Sequence, residues 1–148
     1  MEKVLKEATL VLPIRDGKVL LAVKTRNIGQ GCWNGYGGGI EGQETLLEAA
    51  VRECNQESGL EFQAADLGKA AVIDFYNTKS DGQKFTCRVH IFLLPLGQGE
   101  AVETEEMANP TWFEITNLPF EKMMPADRFW MPLVLAGKKI MGQAHYGP

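Results

Sequence analysis

Apolar residues at 8–13 and 19–23 flank the turn signal Asp16-Gly17, a pattern that predicts a β-hairpin near the start of the chain. In residues 27–42, seven of sixteen positions are glycine (Gly29, Gly31, Gly35, Gly37, Gly38, Gly39, Gly42). That is too many for a regular helix and suits a loop that comes close to another group. From 44 to 58 neither glycine nor proline occurs, and Leu47, Ala50, Val51, Cys54 and Ser58 recur at helical spacing. This predicts an amphipathic helix with an inner face of mostly small residues, stopped by Gly59 as C-cap and followed by the apolar Leu60. Residues 69–77 and 85–94, rich in Val, Ile and aromatics around Asp81-Gly82, predict a second hairpin. A short strand at 111–115, a helix at 127–136 with Pro132 in its first turn or at a kink, and a last strand at 138–146 complete the pattern. Strands before and after a central helix, without strict βαβ alternation, indicate an α+β fold.

A length of 148 residues, 45% of them hydrophobic, suits a single domain, 1–148, around one core. The net charge of -4 argues against a partner that is a nucleic acid polymer, while a metal ion and a few local cations can still offset a small polyanion. Cys32, Cys54 and Cys87 form no Cys-x-x-Cys pair, which fits a reducing cytoplasm rather than a zinc or disulfide framework. The apolar run at 9–14 is too short for a signal-peptide core or a membrane span. The expectation is therefore a cytoplasmic monomer that does not engage membranes. His90 and His145 stand alone and read as a strand residue and a tail residue.

Arg52, Glu53, Gln56 and Glu57 share the predicted helix, and the i, i+3 and i+4 positions from Glu53 project from one side. Three oxygen-bearing side chains so placed suit a hard divalent cation such as Mg²⁺, with Mn²⁺ as the alternative, although a solvated acidic helix face would show the same spacing. The wider context decides between these readings. Gly38, Glu44, Arg52, Glu53, Cys54, Glu57, Gly59 and Leu60 match Gly-x5-Glu-x7-Arg-Glu-apolar-x-Glu-Glu-x-Gly-apolar at eight of nine defined positions. In this the chain resembles the Nudix hydrolases. Gly31-Cys32-Trp33-Asn34-Gly35-Tyr36-Gly37-Gly38, Lys24, Glu106-Met107, Trp112-Phe113, Pro125, Asp127 and Trp130-Met131-Pro132-Leu133 extend the likeness to the oxidised purine nucleoside triphosphatase (8-oxo-dGTP diphosphatase, MutT-like) subfamily.

The resemblance implies a mixed β-sheet sandwiched between helices (α/β/α) and a pyrophosphohydrolase that turns a nucleoside triphosphate into a monophosphate and pyrophosphate. It implies Glu53, Glu57, Gln56, Glu106 and the carbonyl of Gly38 or Gly39 as metal seats, with Glu103 and Glu105 as alternatives to Glu106. Arg52 would orient the carboxylates, and Glu57 or Glu106 would orient or deprotonate water. Substrate binding would fall to Thr9, Lys24, Asn34, Gly38, Met124 and Asp127, with Lys24 on the phosphates and Asn34 and Asp127 on the purine edge. On local sequence alone Asn34 is equally a turn residue, Asp127 a helix N-cap and Ile28 a core residue.

Departures from the pattern carry their own chemistry. Gln56 stands where the family has Glu; an amide keeps a carbonyl oxygen but loses a negative charge, so metal affinity or turnover should fall. Such an isosteric exchange also inactivates a site, so a nucleotide-binding protein with weakened catalysis is the alternative to an enzyme. Met124 replaces a stacking Trp and Ala126 the first of two acids, which narrows base reading toward guanine-type substrates. A dGTP or broader nucleotide hydrolase of the same fold is the other alternative.

Overall fold

The spine of the computed structural model, which describes residues 4–147, is the long strand β1 (Val4–Arg15). It runs parallel to β6 (Lys84–Pro95), in register from Val4 opposite Phe85 to Ile14 opposite Pro95. The first predicted hairpin forms only at its tip. Asp16 and Gly17 both adopt positive φ (51° and 75°), and β1 pairs with β2 (Lys18–Lys24) at Ile14–Val19 and Arg15–Lys18 alone. The rest of that edge of β1, Ala8 to Val11, is taken by β4 (Tyr36–Gly39), while β2 pairs with β3 (Trp33–Asn34) and β7 (Met107–Glu114).

The glycine-rich segment is thus not wholly a loop, as its composition suggested; two short strands lie within it. Strand propensity disfavours glycine, but here the absence of a side chain is what permits the pairing. A Cβ on Gly37 would lie 1.8 Å from the Thr9 carbonyl oxygen, so only glycine can lie this close to β1.

β5 (Gly68–Thr78) pairs antiparallel with β6, as the second predicted hairpin requires, and β8 (Ile140–Tyr146) adds parallel to β5 at the edge. The 111–115 strand is longer than its apolar pattern indicated, because β7 begins at Met107 and tolerates Pro110 away from the sheet's centre.

Alternation along the strands sends side chains to opposite faces. Leu12, Val19, Leu21, Ile73 and Ile91 meet Trp130, Met131 and Val134 of helix α2 (Asp127–Leu135) on one face. Val11, Leu20, Tyr36, Phe92 and Leu94 meet Ala50 and Cys54 of helix α1 (Leu46–Ser58) on the other. The sheet is therefore mixed and lies between two helices, the α+β arrangement expected. Pro132 lies inside α2 rather than in its first turn. No described helix is long and apolar enough to cross a membrane.

α1 is closed at both ends by local chemistry. Thr45 and Glu48 form a reciprocal capping box, and Gly59 ends the helix in the left-handed region (φ 76°) with its N–H on the Asn55 carbonyl, 2.8 Å. Its buried stripe is Ala49, Ala50, Cys54, Glu57 and Ser58. Leu47, assigned by spacing to the inner face, is instead 40% exposed. The stripe is rotated because small residues and one carboxylate, not Leu47, face the glycine strand.

Gly37→Ala should destabilise the fold by more than about 3 kcal/mol or prevent folding, since the clash is with backbone that cannot swing away. Gly39→Ala, whose Cβ would meet nothing within 4 Å, should stay within about 0.5 kcal/mol of the parent. Urea denaturation of the two variants gives the comparison, and equal stabilities would contradict the packing described.

Candidate active site

Glu53 and Glu57 lie one turn apart on α1 and face β4. The Gly37 N–H donates to Glu57 Oε1 (3.0 Å), and a Cβ on Gly38 would stand 2.6 Å from the Glu53 carboxyl carbon. Glu106, just before β7, supplies a third carboxylate, and one oxygen from each of Glu53, Glu57 and Glu106 lies within 4.8 Å of the others. The other acids of that run do not join the cluster. Glu103 accepts the Asn109 N–H (3.0 Å), and the Glu105 backbone carbonyl accepts the Thr25 hydroxyl.

Glu57 is only 6% exposed, and burial, followed by the adjoining Glu106 and Glu53 carboxyls, pushes its pKa up to about 8 against the pull of the Gly37 N–H. Glu106 moves the opposite way, held below the usual carboxylate range by Arg26 first (2.7 Å) and then by Glu57. A buried acid that takes up a proton for want of a positive neighbour, in a set of hard oxygen donors lined by a side-chain-free backbone, fits a divalent cation such as Mg²⁺ or Mn²⁺.

Arg52 ties the cluster together. It donates to Glu44 through Nε (2.7 Å) and Nη2 (2.9 Å), to Glu53 Oε1 through Nη1 (2.8 Å) and to the Gly39 carbonyl through Nη2 (3.1 Å). Helix, preceding loop and glycine strand are thereby fixed to one guanidinium. Glu48, four residues before Arg52 on the same helix, is used in the capping box instead. Gln56, between Glu53 and Glu57 in the sequence of the same helix, is exposed.

A cavity of about 430 Å³ opens beside the cluster on the α2 face of the sheet. Thr9, Lys24, Asn34, Gly38, Met124 and Asp127, the six residues assigned to substrate by resemblance, all line it, together with Glu57. The Thr9 hydroxyl donates to the Gly38 carbonyl (3.4 Å). Asn34 Oδ1 accepts the Gly35 N–H (2.8 Å), which aims the carboxamide and leaves its NH₂ for a ligand.

Asp127 is not the helix N-cap. Ala126 holds that position without a side-chain bond, and Asp127 turns inward at 4% exposure. Its Oδ1 accepts from Trp130 Nε1 (3.0 Å) and its Oδ2 has no partner. Burial raises its pKa to about 6. Ile28 lies at the rim, 59% exposed, rather than in the core.

Sequence reading missed Phe75, Phe85 and Tyr146, which also line the cavity. Their strands were recognised, but only the sheet register shows which faces they share. A second hollow of about 440 Å³ between α2 and β8 is lined by Phe129, Leu133 and Ile140 among others, with no carboxylate in its lining. His90 pairs with Glu7 (3.2 Å) and His145 stacks on Tyr76; neither joins the cluster.

The folded Asp127 pKa lies above its ordinary 3.8, so the native state holds this proton more tightly than the unfolded chain. The Asp127 contribution to stability should fall as pH rises from about 4 to about 6 and level off above that, while the Glu57 contribution goes on falling to about pH 8. Asp127→Asn should flatten this segment and exceed the parent at pH 7 by on the order of 2 kcal/mol. Urea denaturation at several pH values reads this out, and an unchanged slope would show that Asp127 is not the buried titrating group.

Residues 4–134 match the family model for the NUDIX domain. The oxidized purine nucleoside triphosphate hydrolases of Danio rerio and Mus musculus are 41% and 40% identical over 137 and 134 residues, covering 93% and 90% of this chain and 84% and 82% of theirs. A MutT protein from Bacillus halodurans superposes with a TM-score of 0.78 at 21% identity, covering 97% of this chain and 91% of that one. With the matched region spanning β1 through nearly all of α2 and the carboxylate helix at its centre, the chain belongs to the NUDIX family.

Proposed function

We propose that the protein hydrolyses oxidised purine nucleoside triphosphates of the 8-oxo-dGTP type to the monophosphate and pyrophosphate, as a cytoplasmic monomer that cleans the nucleotide pool. The observation that carries this reading is continuity. Glu57 at one end and Asp127 and Asn34 at the other line the same cavity, so one ligand can present phosphates to the carboxylates and a base to the polar groups. The names of the relatives above point to the same substrate class.

Glu53, Glu57, Glu106 and the Gly38 carbonyl would hold Mg²⁺ or Mn²⁺, with Gln56 as a neutral supplementary oxygen; the bound ion supplies charge neutralisation for the polyphosphate. Lys24, on the cavity wall near Glu106, pairs with a phosphate. Arg52 holds the Glu53 carboxylate in place, and Glu106 or Glu57 orients a water and accepts its proton. At neutral pH Asp127, with its pKa near 6, is an ionised acceptor for the N–H groups of a guanine-type base, while the Asn34 amide donates to a carbonyl oxygen.

Gln56 favours a second reading, a nucleotide binder with weakened catalysis. Because three carboxylates, Glu53, Glu57 and Glu106, still converge, a slower enzyme is the better account. Gln56→Glu should raise turnover roughly tenfold or more, and Glu57→Gln should lower it at least about a hundredfold while raising the metal-free melting temperature, since a buried acid has been neutralised. Pyrophosphate release from 8-oxo-dGTP and dGTP in Mg²⁺ is the measurement. A Gln56→Glu protein that releases none from any purine triphosphate would end this proposal.

A further inference from the structure

Tyr146, at the end of β8, reaches the nucleotide cavity from the far edge of the sheet. The parallel register sets it opposite Asn77 of β5, and its ring stacks on Phe75 with centroids 5.8 Å apart and planes 12° from parallel. The phenol oxygen accepts the Ala126 backbone N–H at 3.2 Å, which fixes the hydroxyl at the entrance to α2, one residue before Asp127. A phenol that accepts one bond still has a proton to donate, and no acceptor for it is found among the described residues. In the residue after Ala126, the Asp127 oxygen Oδ2 is buried and equally without a partner, and its carboxylate lies close enough to act on the phenol electrostatically. One cavity is therefore lined by a phenol O–H donor and a carboxylate acceptor that are not bonded to each other, each positioned by its own contact and each with capacity left for a ligand.

We infer that Tyr146 is a specificity-determining residue that, with Asp127, selects a 6-oxopurine. The inference rests on the nucleotide reading of this cavity. With the phosphates anchored at the carboxylate cluster, the base can enter in one direction only. A 6-oxopurine then offers a carbonyl oxygen to the Tyr146 O–H and the adjacent ring N–H to Asp127. A 6-aminopurine reverses both groups, placing an amino donor against the phenolic donor and a bare ring nitrogen against the carboxylate. A site built on buried hydrogen-bonding groups rejects such a mismatch strongly, because each group is left desolvated and unpaired. Burial, with the nearby Asp127 carboxylate, holds the phenol pKa above its usual value, so it stays a donor at neutral pH. Phe75 and Tyr146 are locked against each other, so the hydroxyl does not have to be ordered when ligand arrives.

Tyr146→Phe removes the hydroxyl and keeps the stacked ring. Calorimetric titration with dGMP, 8-oxo-dGMP and dAMP does not depend on turnover and therefore works with Gln56 in place. The dissociation constants for the two 6-oxo nucleotides should rise about tenfold while that for dAMP changes less than about twofold. Thermal denaturation of the variant checks that the fold is intact, and Tyr146→Leu, which also removes the stack, should weaken all three ligands together. Unchanged binding of all three by Tyr146→Phe, or equal weakening of all three, would overturn the role assigned to the hydroxyl. A parent protein that binds none of them would overturn the nucleotide reading itself and this inference with it.

Discussion

The arrangement turns on how closely helix α1 can approach strand β4. Three carboxylates drawn within 4.8 Å of one another repel, and burial of Glu57 adds a desolvation penalty. The fold offsets this with groups that only a near-contact can supply: the Gly37 N–H on Glu57 and the Arg52 guanidinium shared by Glu44, Glu53 and the Gly39 carbonyl. Glycine at 37 and 38 leaves room for both the β1 backbone and the Glu53 carboxyl, and alanine at 49 and 50 lets the helix settle onto the sheet. What remains is a buried carboxyl, Glu57, with no cation of its own, which suits a divalent ion that can in turn offset a polyphosphate.

The sheet sets the distances between the parts of the site. β1 holds β4 on one side and β6 on the other, and through β6 and β5 it fixes β8 at the edge. Strands at opposite ends of this series contribute to a single cavity, with Asn34 on β3 and Tyr146 on β8. Because β4 carries no side chains at Gly37 and Gly38, the cavity on the α2 face reaches the carboxylates of α1 without a dividing wall. Residues of both helices, on opposite faces of one sheet, therefore line a single cavity.

The base end of the cavity follows the same physical logic with weaker charges. Asp127 is buried with one oxygen satisfied by Trp130 and the other open, an arrangement that costs stability unless a ligand completes it. Met124 supplies a deformable apolar surface in place of a π-platform, while the rigid aromatic pair is formed instead by Phe75 and Tyr146. Desolvated carboxyls are thus concentrated along this cavity, and the core clusters on either face of the sheet carry the packing.

The amino-acid pattern alone determined the central helix and its glycine C-cap, most of the strands, the α+β class and the carboxylates of α1, because these depend on neighbours within a turn or on short runs of strand-forming residues. The spacing of Glu53 and Glu57 is a property of helical geometry, and Gly59 must adopt positive φ wherever the helix ends this way. Tertiary structure decided the rest. That Gly37 and Gly38 form a strand, that Glu106 rather than Glu103 or Glu105 completes the cluster, that Asp127 faces a cavity instead of capping its helix, and that Leu47 and Ile28 lie outside the core all depend on pairings between segments remote in sequence. Local propensity carries no information about such pairings. Tyr146 is the extreme case, since its partners Phe75 and Ala126 lie 71 and 20 residues away and only the closing of the sheet brings them together.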